Sequence, residues 1–343
     1  MREVAEAIRN AVGDGRPTLV GRVIEVKGFS TLPVDDLVAI DSTGARHGDL
    51  LGPTGAKTLG LAAAKLFRSG GNRLETVGVE IHGRDVAEMG LSCGGRAEVL
   101  LQPVESIPAQ LWSLLADRAP AALITRIEGA GAGPAAMVVD GHGNAWGDLD
   151  GVQPLLAEAV ALLGEGRSTL RRVEDDHGVT LIEAWVPEPR LVVVGAGDMV
   201  EALRSQGALL GWDLRATDDP GSVSGLLDWA GATAALVVLS HDPHVDVPAL
   251  RVGLDRKVPY VGAMGSRSTQ SRRLDRLAAD GVDAEALASI HRPIGLDLGG
   301  RRAPEVALAI AAEILACHCG RSGRPLREAT GPIHDRPMSD QPA

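Results

Sequence analysis

The chain has 343 residues, 45% of them hydrophobic, and a formal net charge of −11. That length suits two or three domains of roughly 100–200 residues each, and the acidic balance excludes a general nucleic-acid binder. Aromatic residues are only 2%, so Val, Leu, Ile and Ala must fill the cores. Three cysteines, Cys93, Cys317 and Cys319, make no disulfide framework and read as reduced thiols. The opening residues MREVAEAIRN lack the apolar centre of a signal peptide. No stretch reaches the ~20 apolar residues of a membrane-spanning helix. A soluble, cytoplasmic protein with no membrane partner is expected.

Val4, Ile8 and Val12 recur at helical spacing, which predicts a helix over 2–12. Strands follow at 18–26 and 37–41, with Asp41-Ser42-Thr43-Gly44 as the turn after them. Residues 51–53 read as a break, residues 57–69 as an alanine-rich helix, and 74–82 and 97–102 as strands. The order then recurs. Residues 121–128 resemble 18–26, 136–140 resemble 37–41, and Trp146-Gly147-Asp148-Leu149 matches His47-Gly48-Asp49-Leu50, 99 positions earlier. A helix over 154–163 and strands over 169–174 and 180–186 complete the second run. The expectation is two divergent copies of a small α+β unit, residues 1–105 and 106–189. Chance similarity between β-rich segments is the alternative.

From Arg190 the pattern becomes alternating strand and helix, which predicts an α/β, Rossmann-like domain with a parallel sheet over 190–319. Leu191-Val192-Val193-Val194 reads as a buried parallel strand, followed by Gly195-Ala196-Gly197, a helix over 199–210, and a strand over 212–217 ending at Asp218 and Asp219. This is the opening of a dinucleotide-binding unit, except that Val200 replaces its third glycine. Gly195 and Gly197 would let a phosphate approach the helix N-terminus, and Asp218 and Asp219 would hold ribose hydroxyls. A plain α/β turn and a solvated acidic turn are the alternatives. Further strands at 234–240 and 258–263 frame a second glycine turn, Gly262-Ala263-Met264-Gly265-Ser266-Arg267. There Gly262, Gly265, Ser266 and Arg267 could converge on an anion. Arg272 and Arg273 lie about one turn further on, and a solvated cationic face is the alternative for them, more so for Arg273 than for Arg267.

His241 and His244, with Asp242 and Asp246, are weak metal candidates whose spacing matches no zinc pattern. Cys93 lies in the glycine-rich segment Gly90-Leu91-Ser92-Cys93-Gly94-Gly95, which would expose its sulfur. A small residue in a tight turn is the alternative. Cys317-His318-Cys319 ends the last helix, 303–317, and reads as incidental. Residues 320–343, rich in Gly, Pro, Arg and Asp, are expected to form a disordered tail.

Several blocks together resemble the XdhC/CoxI family of accessory proteins of xanthine dehydrogenase and CO dehydrogenase. They are the Cys93 segment, Val194-Gly195-Ala196-Gly197, Ser240-His241-Asp242-Pro243, Tyr260 to Arg267, and Ile290-His291-Arg292-Pro293-Ile294-Gly295-Leu296-Asp297-Leu298-Gly299. The resemblance implies a maturation factor that binds molybdenum cofactor, as molybdopterin or its dinucleotide, transiently. It implies assistance in sulfuration with a cysteine desulfurase and insertion into a molybdenum hydroxylase client. Cys93 would then contact the cofactor or its sulfur. The chain departs from the family's pattern in its first loop, Gly28 to Asp36, which is acidic and lacks an arginine. It also lacks the family's cysteine near Leu50 to Pro53. An NAD(P)-binding oxidoreductase and a degenerate scaffold paralogue are the competing readings, and a homodimer is left open.

Overall fold

The computed structural model describes residues 1–28, 36–82, 86, 94–129, 133–149 and 151–328. Cys93 and most of the first loop lie outside them. The chain divides into two compact units between Val186 and Pro187.

In the first unit, β1 (Thr18–Lys27), β2 (Leu37–Asp41), β3 (Arg46–His47), β4 (Glu75–Ile81) and β5 (Gly95–Pro103) form an antiparallel sheet in the order β3-β2-β1-β5-β4. A second sheet has the same order, β8-β7-β6-β10-β9, built from β6 (Ala121–Glu128), β7 (Ala136–Asp140), β8 (Ala145–Gly147), β9 (Thr169–Asp175) and β10 (Gly178–Trp185). Each sheet carries a bulge of one residue on its central strand, Ile24 between Val23 and Glu25 and Ile127 between Arg126 and Glu128. The turns also correspond. Asp41 Oδ1 accepts from the backbone N–H of Thr43 and Ala45, and Asp140 Oδ1 from those of His142 and Asn144. Burial works against both carboxylates, yet these hydrogen bonds hold both below the usual aspartate range.

The two sheets are not separate bodies. Helices Arg2–Gly13 and Gln110–Ala116 join both in one core that includes Ile8, Val20, Trp112, Leu123, Val138 and Trp185. Helices Gly52–Arg68 and Gln153–Gly164 cover the other faces through Leu59, Ala63 and Leu66 and through Leu155, Ala159 and Leu162. Arg22 is buried in this unit. Its Nε donates to both oxygens of Glu183, at 2.8 and 2.9 Å, and its Nη2 donates to Gln102 Oε1 at 2.7 Å. The helix expected from Lys57 begins five residues earlier. Pro53 occupies its first turn, where a missing N–H costs little, and Leu51 turns the chain with φ 63°.

In the second unit, β11 (Arg190–Val194), β12 (Asp213–Thr217), β13 (Ala234–Val238) and β14 (Tyr260–Ala263) form a parallel sheet in the order β12-β11-β13-β14. The two inner strands are apolar from Leu191 to Val194 and from Ala234 to Val238 because both faces are covered. Val192, Leu236 and Val261 pack with helices Val223–Ala230, Pro243–Asp255 and Arg267–Ala279. Leu191, Val193, Val237 and Tyr260 pack with helices Asp198–Leu209 and Ala303–His318. The mixed α/β class expected from the sequence is the one observed.

Among the described residues, no helix is long and apolar enough to cross a membrane. Beyond the last helix, residues 320–328 include a 3-10 turn at Leu326–Glu328, and residues 329–343 lie outside the described residues.

Candidate functional site

The sheet order reverses around β11, since β12 lies on one side and β13 on the other. In open α/β sheets the crevice at such a switch point, outside the carboxyl ends of the strands, receives ligands. Gly195 leaves β11 with φ 147°, and a Cβ there would sit 3.0 Å from Leu239 Cβ. Only glycine lets the first turn approach the β13 loop this closely. Gly197 caps helix Asp198–Leu209, with φ 88° and open space where a side chain would project. Val200, in the place of a third glycine, is buried against the apolar cluster of helix Ala303–His318.

Two helix N-termini therefore face this edge, and their charges differ. The first turn after Gly197 carries Asp198 and Glu201. The first turn after Ser266 carries no acid and begins with Arg267, which is exposed and makes no hydrogen bond or ion pair among the described residues. An anion is favoured at the second N-terminus, where the dipole and the guanidinium act together. Ser266 is largely occupied as the cap: its Oγ accepts from Thr269 N–H at 3.3 Å and meets the hydroxyls of Ser268 and Thr269. A depression of about 440 Å³ opens here. His241, Gly265, Ser266 and Thr269 supply its polar side, and Met264, Pro293, Ile294 and Val306 supply its apolar side.

The other predicted residues separate. Asp218 is exposed just past β12 and makes no hydrogen bond among the described residues, whereas Asp219 caps a turn by accepting from Gly221 N–H and Ser222 Oγ at 2.9 and 2.7 Å. Those bonds lower the Asp219 pKa. Gly262 does not face the edge. It is buried within β14, and a Cβ there would lie 2.5 Å from Ile294 Cδ1, so its smallness serves packing. β12 and β14 are three strand spacings apart, about 14 Å, so a ligand touching both Asp218 and Arg267 must be extended.

The loop after β13 does not assemble a cation cage. Asp242 caps helix Pro243–Asp255 by accepting from His244 N–H, and Asp246 is buried against Arg273. Among the described residues, no group of three or more His, Cys, Asp or Glu could hold a metal ion. Arg273 itself is the main correction to the sequence reading. It is 3% exposed, which overturns the solvated face given as its alternative. Its Nε and Nη2 donate to Asp246 Oδ2 at 2.9 and 2.5 Å, Nη1 donates to Met264 O and Gln270 Oε1, and Nη2 also donates to Ser240 O. One side chain thus ties the β13 loop to the β14 loop beneath the depression. The signal was present, since Gln270, Arg273 and Leu277 form a buried stripe at helical spacing.

A cluster that sequence reasoning passed over surrounds His291. Its backbone extends the sheet beside Gly262, donating to Val261 O and accepting from Ala263 N–H, both at 2.9 Å. Its ring stacks on Tyr260 with centroids 4.5 Å apart, Nδ1 is 3.5 Å from Glu313 Oε1, and Nε2 is 3.8 Å from Cys317 Sγ. Tyr260 Oη and Gly295 N–H donate to the other Glu313 oxygen at 2.5 and 2.8 Å. Burial acts to raise the Glu313 pKa, but the hydrogen bonds from His291, Tyr260 and Gly295 hold it below the usual glutamate range. Burial and then Glu313 push Tyr260 far up, so it remains a neutral donor.

These features define a Rossmann-like domain with a candidate site at its sheet edge. Residues 191–314 match the family model described as the XdhC Rossmann domain, the segment that holds four of the five blocks on which the resemblance was read. A curated relative, the molybdenum cofactor insertion chaperone PaoD of Escherichia coli, is 32% identical over 129 residues, 37% of this chain and 40% of its own length. The uncharacterized protein YqeB of the same organism is 28% identical over 145 residues, 37% of this chain and 27% of its own length. The chain thus spans less than half the length of these relatives. A solved structure titled a xanthine dehydrogenase from Bacillus halodurans shares the fold, with a TM-score of 0.54 at 18% identity over 93% of this chain and 97% of that one.

Proposed function

We propose that this protein is an accessory factor that receives molybdenum cofactor as cargo, assists its sulfuration with a cysteine desulfurase, and inserts it into a molybdenum hydroxylase of the xanthine or CO dehydrogenase type. The match of residues 191–314 to the XdhC Rossmann domain carries the reading, and the relative named as an insertion chaperone supports it. The donor set fits such cargo. Molybdopterin ends in a phosphate, and the N–H groups that open helix Arg267–Ala279, the Arg267 guanidinium and the Gly195 to Gly197 turn suit that phosphate or the diphosphate of a dinucleotide form. The apolar side of the depression, Ile294 and Val306, suits the flat face of a ring. When bound, the cargo supplies the metal and the dithiolene that the client enzyme uses. The chain's own residues bind and orient it. Among them, the Arg273–Asp246 pair holds the two loops that shape the site.

The test is retention. The purified chain, mixed with released molybdopterin and passed through gel filtration, should carry the pterin, and Arg267→Ala should carry about tenfold less at equal concentration. That ratio corresponds to one charge-assisted hydrogen bond of roughly 1.5 kcal/mol. Absence of pterin in the protein fraction, with a family member retaining it in parallel, would sink the reading.

One observation favours a second reading. Asp218 is a carboxylate with no hydrogen bond among the described residues, just past the second strand of the unit, the position that holds ribose hydroxyls in nicotinamide enzymes. A fluorescence titration with NADH and NADPH separates the two. Submicromolar binding lost in Asp218→Asn would favour the nucleotide, and no signal change would favour the pterin.

A further inference from the structure

Cys317, His291 and Glu313 form a chain of contacts, not a convergent group. Glu313 lies on Nδ1 of the imidazole and Cys317 on Nε2, so the two cannot share one ion across the ring. Order along the chain runs from the inside outward. The Glu313 side chain is 16% exposed and that of His291 32%, while Cys317 is exposed at the end of helix Ala303–His318. Each inner member is held: Glu313 Oε2 by Tyr260 and Gly295, and the ring by stacking and by its two backbone hydrogen bonds. With Nδ1–H donating to Glu313, Nε2 presents its lone pair toward the thiol. Nucleophile, base and orienting carboxylate in that order are the parts of an activated cysteine. Burial and then Glu313 push the thiol's pKa up, so at neutral pH it rests as S–H and needs the base. The cluster is separate from the depression at the strand ends. Val306 lines the depression eleven residues before Cys317 on the same helix, about 16 Å at 1.5 Å per residue.

We propose that Cys317 is a nucleophilic thiol that attacks the S–S bond of a persulfide or disulfide, with His291 as its base and Glu313 positioning the ring. No oxyanion-binding group is needed for such a reaction, because the leaving group is itself a thiolate. The step balances. Cys317 Sγ loses its proton to His291 Nε2 and bonds to one sulfur of R–S–S–R′, the S–S bond breaks, and R′–S⁻ departs and takes the proton from the imidazolium. With a persulfide donor R–S–SH, the outer sulfur moves to Cys317 and R–SH leaves, and no external oxidant or reductant is consumed. This inference does not rest on the cargo reading, since it uses none of the residues assigned to cargo.

The full chain is treated at pH 7 with glutathione disulfide in one arm and glutathione persulfide in the other, quenched, digested, and mapped by peptide mass so that Cys317 is read separately from Cys93 and Cys319. In the unaltered chain, Cys317 should gain a glutathionyl group in the first arm or a single sulfur in the second. Its rate should exceed that in His291→Asn by about a hundredfold, the scale of one positioned base, with Glu313→Gln intermediate. The difference should close at high pH, where the thiol ionises unaided. A gain in the persulfide arm alone identifies sulfane-sulfur transfer, and gains in both identify general S–S exchange. Should His291→Asn fail to fold, Glu313→Gln carries the comparison. Equal rates at pH 7 in the unaltered chain and the folded variants, or no modification of Cys317 in either arm, would overturn the proposal.

Discussion

Two arginines six positions apart on one helix do opposite work. Arg267 is exposed on the first turn, and Arg273 is buried two turns in against Asp246. A buried ion pair adds little over an apolar isostere, but removing one partner strands the other charge at a cost of about 3–5 kcal/mol. Arg273→Met should therefore lower the unfolding free energy of the full chain by that order in a urea titration, and Arg267→Ala should change it by less than about 0.5 kcal/mol. A similar contrast separates the glycines. Gly197 has open space around it, whereas Gly262→Ala would drive a methyl group into Ile294. Overpacking of this kind costs about 1–3 kcal/mol. Calorimetry should show a lower melting temperature for Gly262→Ala and partial recovery when Ile294→Val is added.

At the scale of elements, one ion pair links strands from the two sheets of the first unit: Arg22 on β1 and Glu183 on β10. Arg22→Met alone should destabilise the chain by about 3–5 kcal/mol, and adding Glu183→Leu should reverse part of that loss, because the orphaned carboxylate is then gone. An effect of Glu183→Leu that is the same with and without Arg22 would show that the pair is not coupled. Helix Ala303–His318 gives a pH-dependent counterpart. Glu313 has a lowered folded-state pKa. Its contribution is therefore complete above the ordinary glutamate value of 4.5 and is lost as the pH falls through the lower folded value. Melting temperatures measured from neutral pH down through the carboxylate range should fall less steeply in Glu313→Gln than in the unaltered chain. Parallel curves would mean that the carboxylate's hydrogen bonds contribute nothing net.

For the molecule as a whole, the core arrangement predicts which pieces fold alone. We read the first unit as two copies of one α+β motif, on the shared strand order, the bulges at Ile24 and Ile127, and the matching Asp41 and Asp140 turns. Yet the copies share one apolar cluster, and Arg22 of one lies against Glu183 of the other. A fragment of residues 1–105 would expose Ile8, Val20 and Ala39 and leave Arg22 without its carboxylate. It should show no cooperative transition by circular dichroism. A fragment of residues 187–328 keeps both of its sheet faces covered within itself and should unfold in one cooperative step.

Local information determined much of this protein. Apolar runs such as 191–194, alternation in the first 186 residues, and Pro304 at a helix start set the elements, because strand and helix periodicity depend on near neighbours. The recurring order of elements in the first 186 residues and the glycine turn after β11 were readable for the same reason, and so was the family resemblance of the second unit. Tertiary structure alone decided what each side chain meets. It buried Arg273, put Gly262 under Ile294, left Arg267 and Asp218 without partners among the described residues, and brought His291, Glu313 and Cys317 together from a loop and a helix end. Those outcomes depend on contacts between residues distant in sequence, made only when the helices pack on the sheet; apart from the helical spacing that aligns Arg273 with Gln270 and Leu277, no local pattern of charge or hydropathy encodes them.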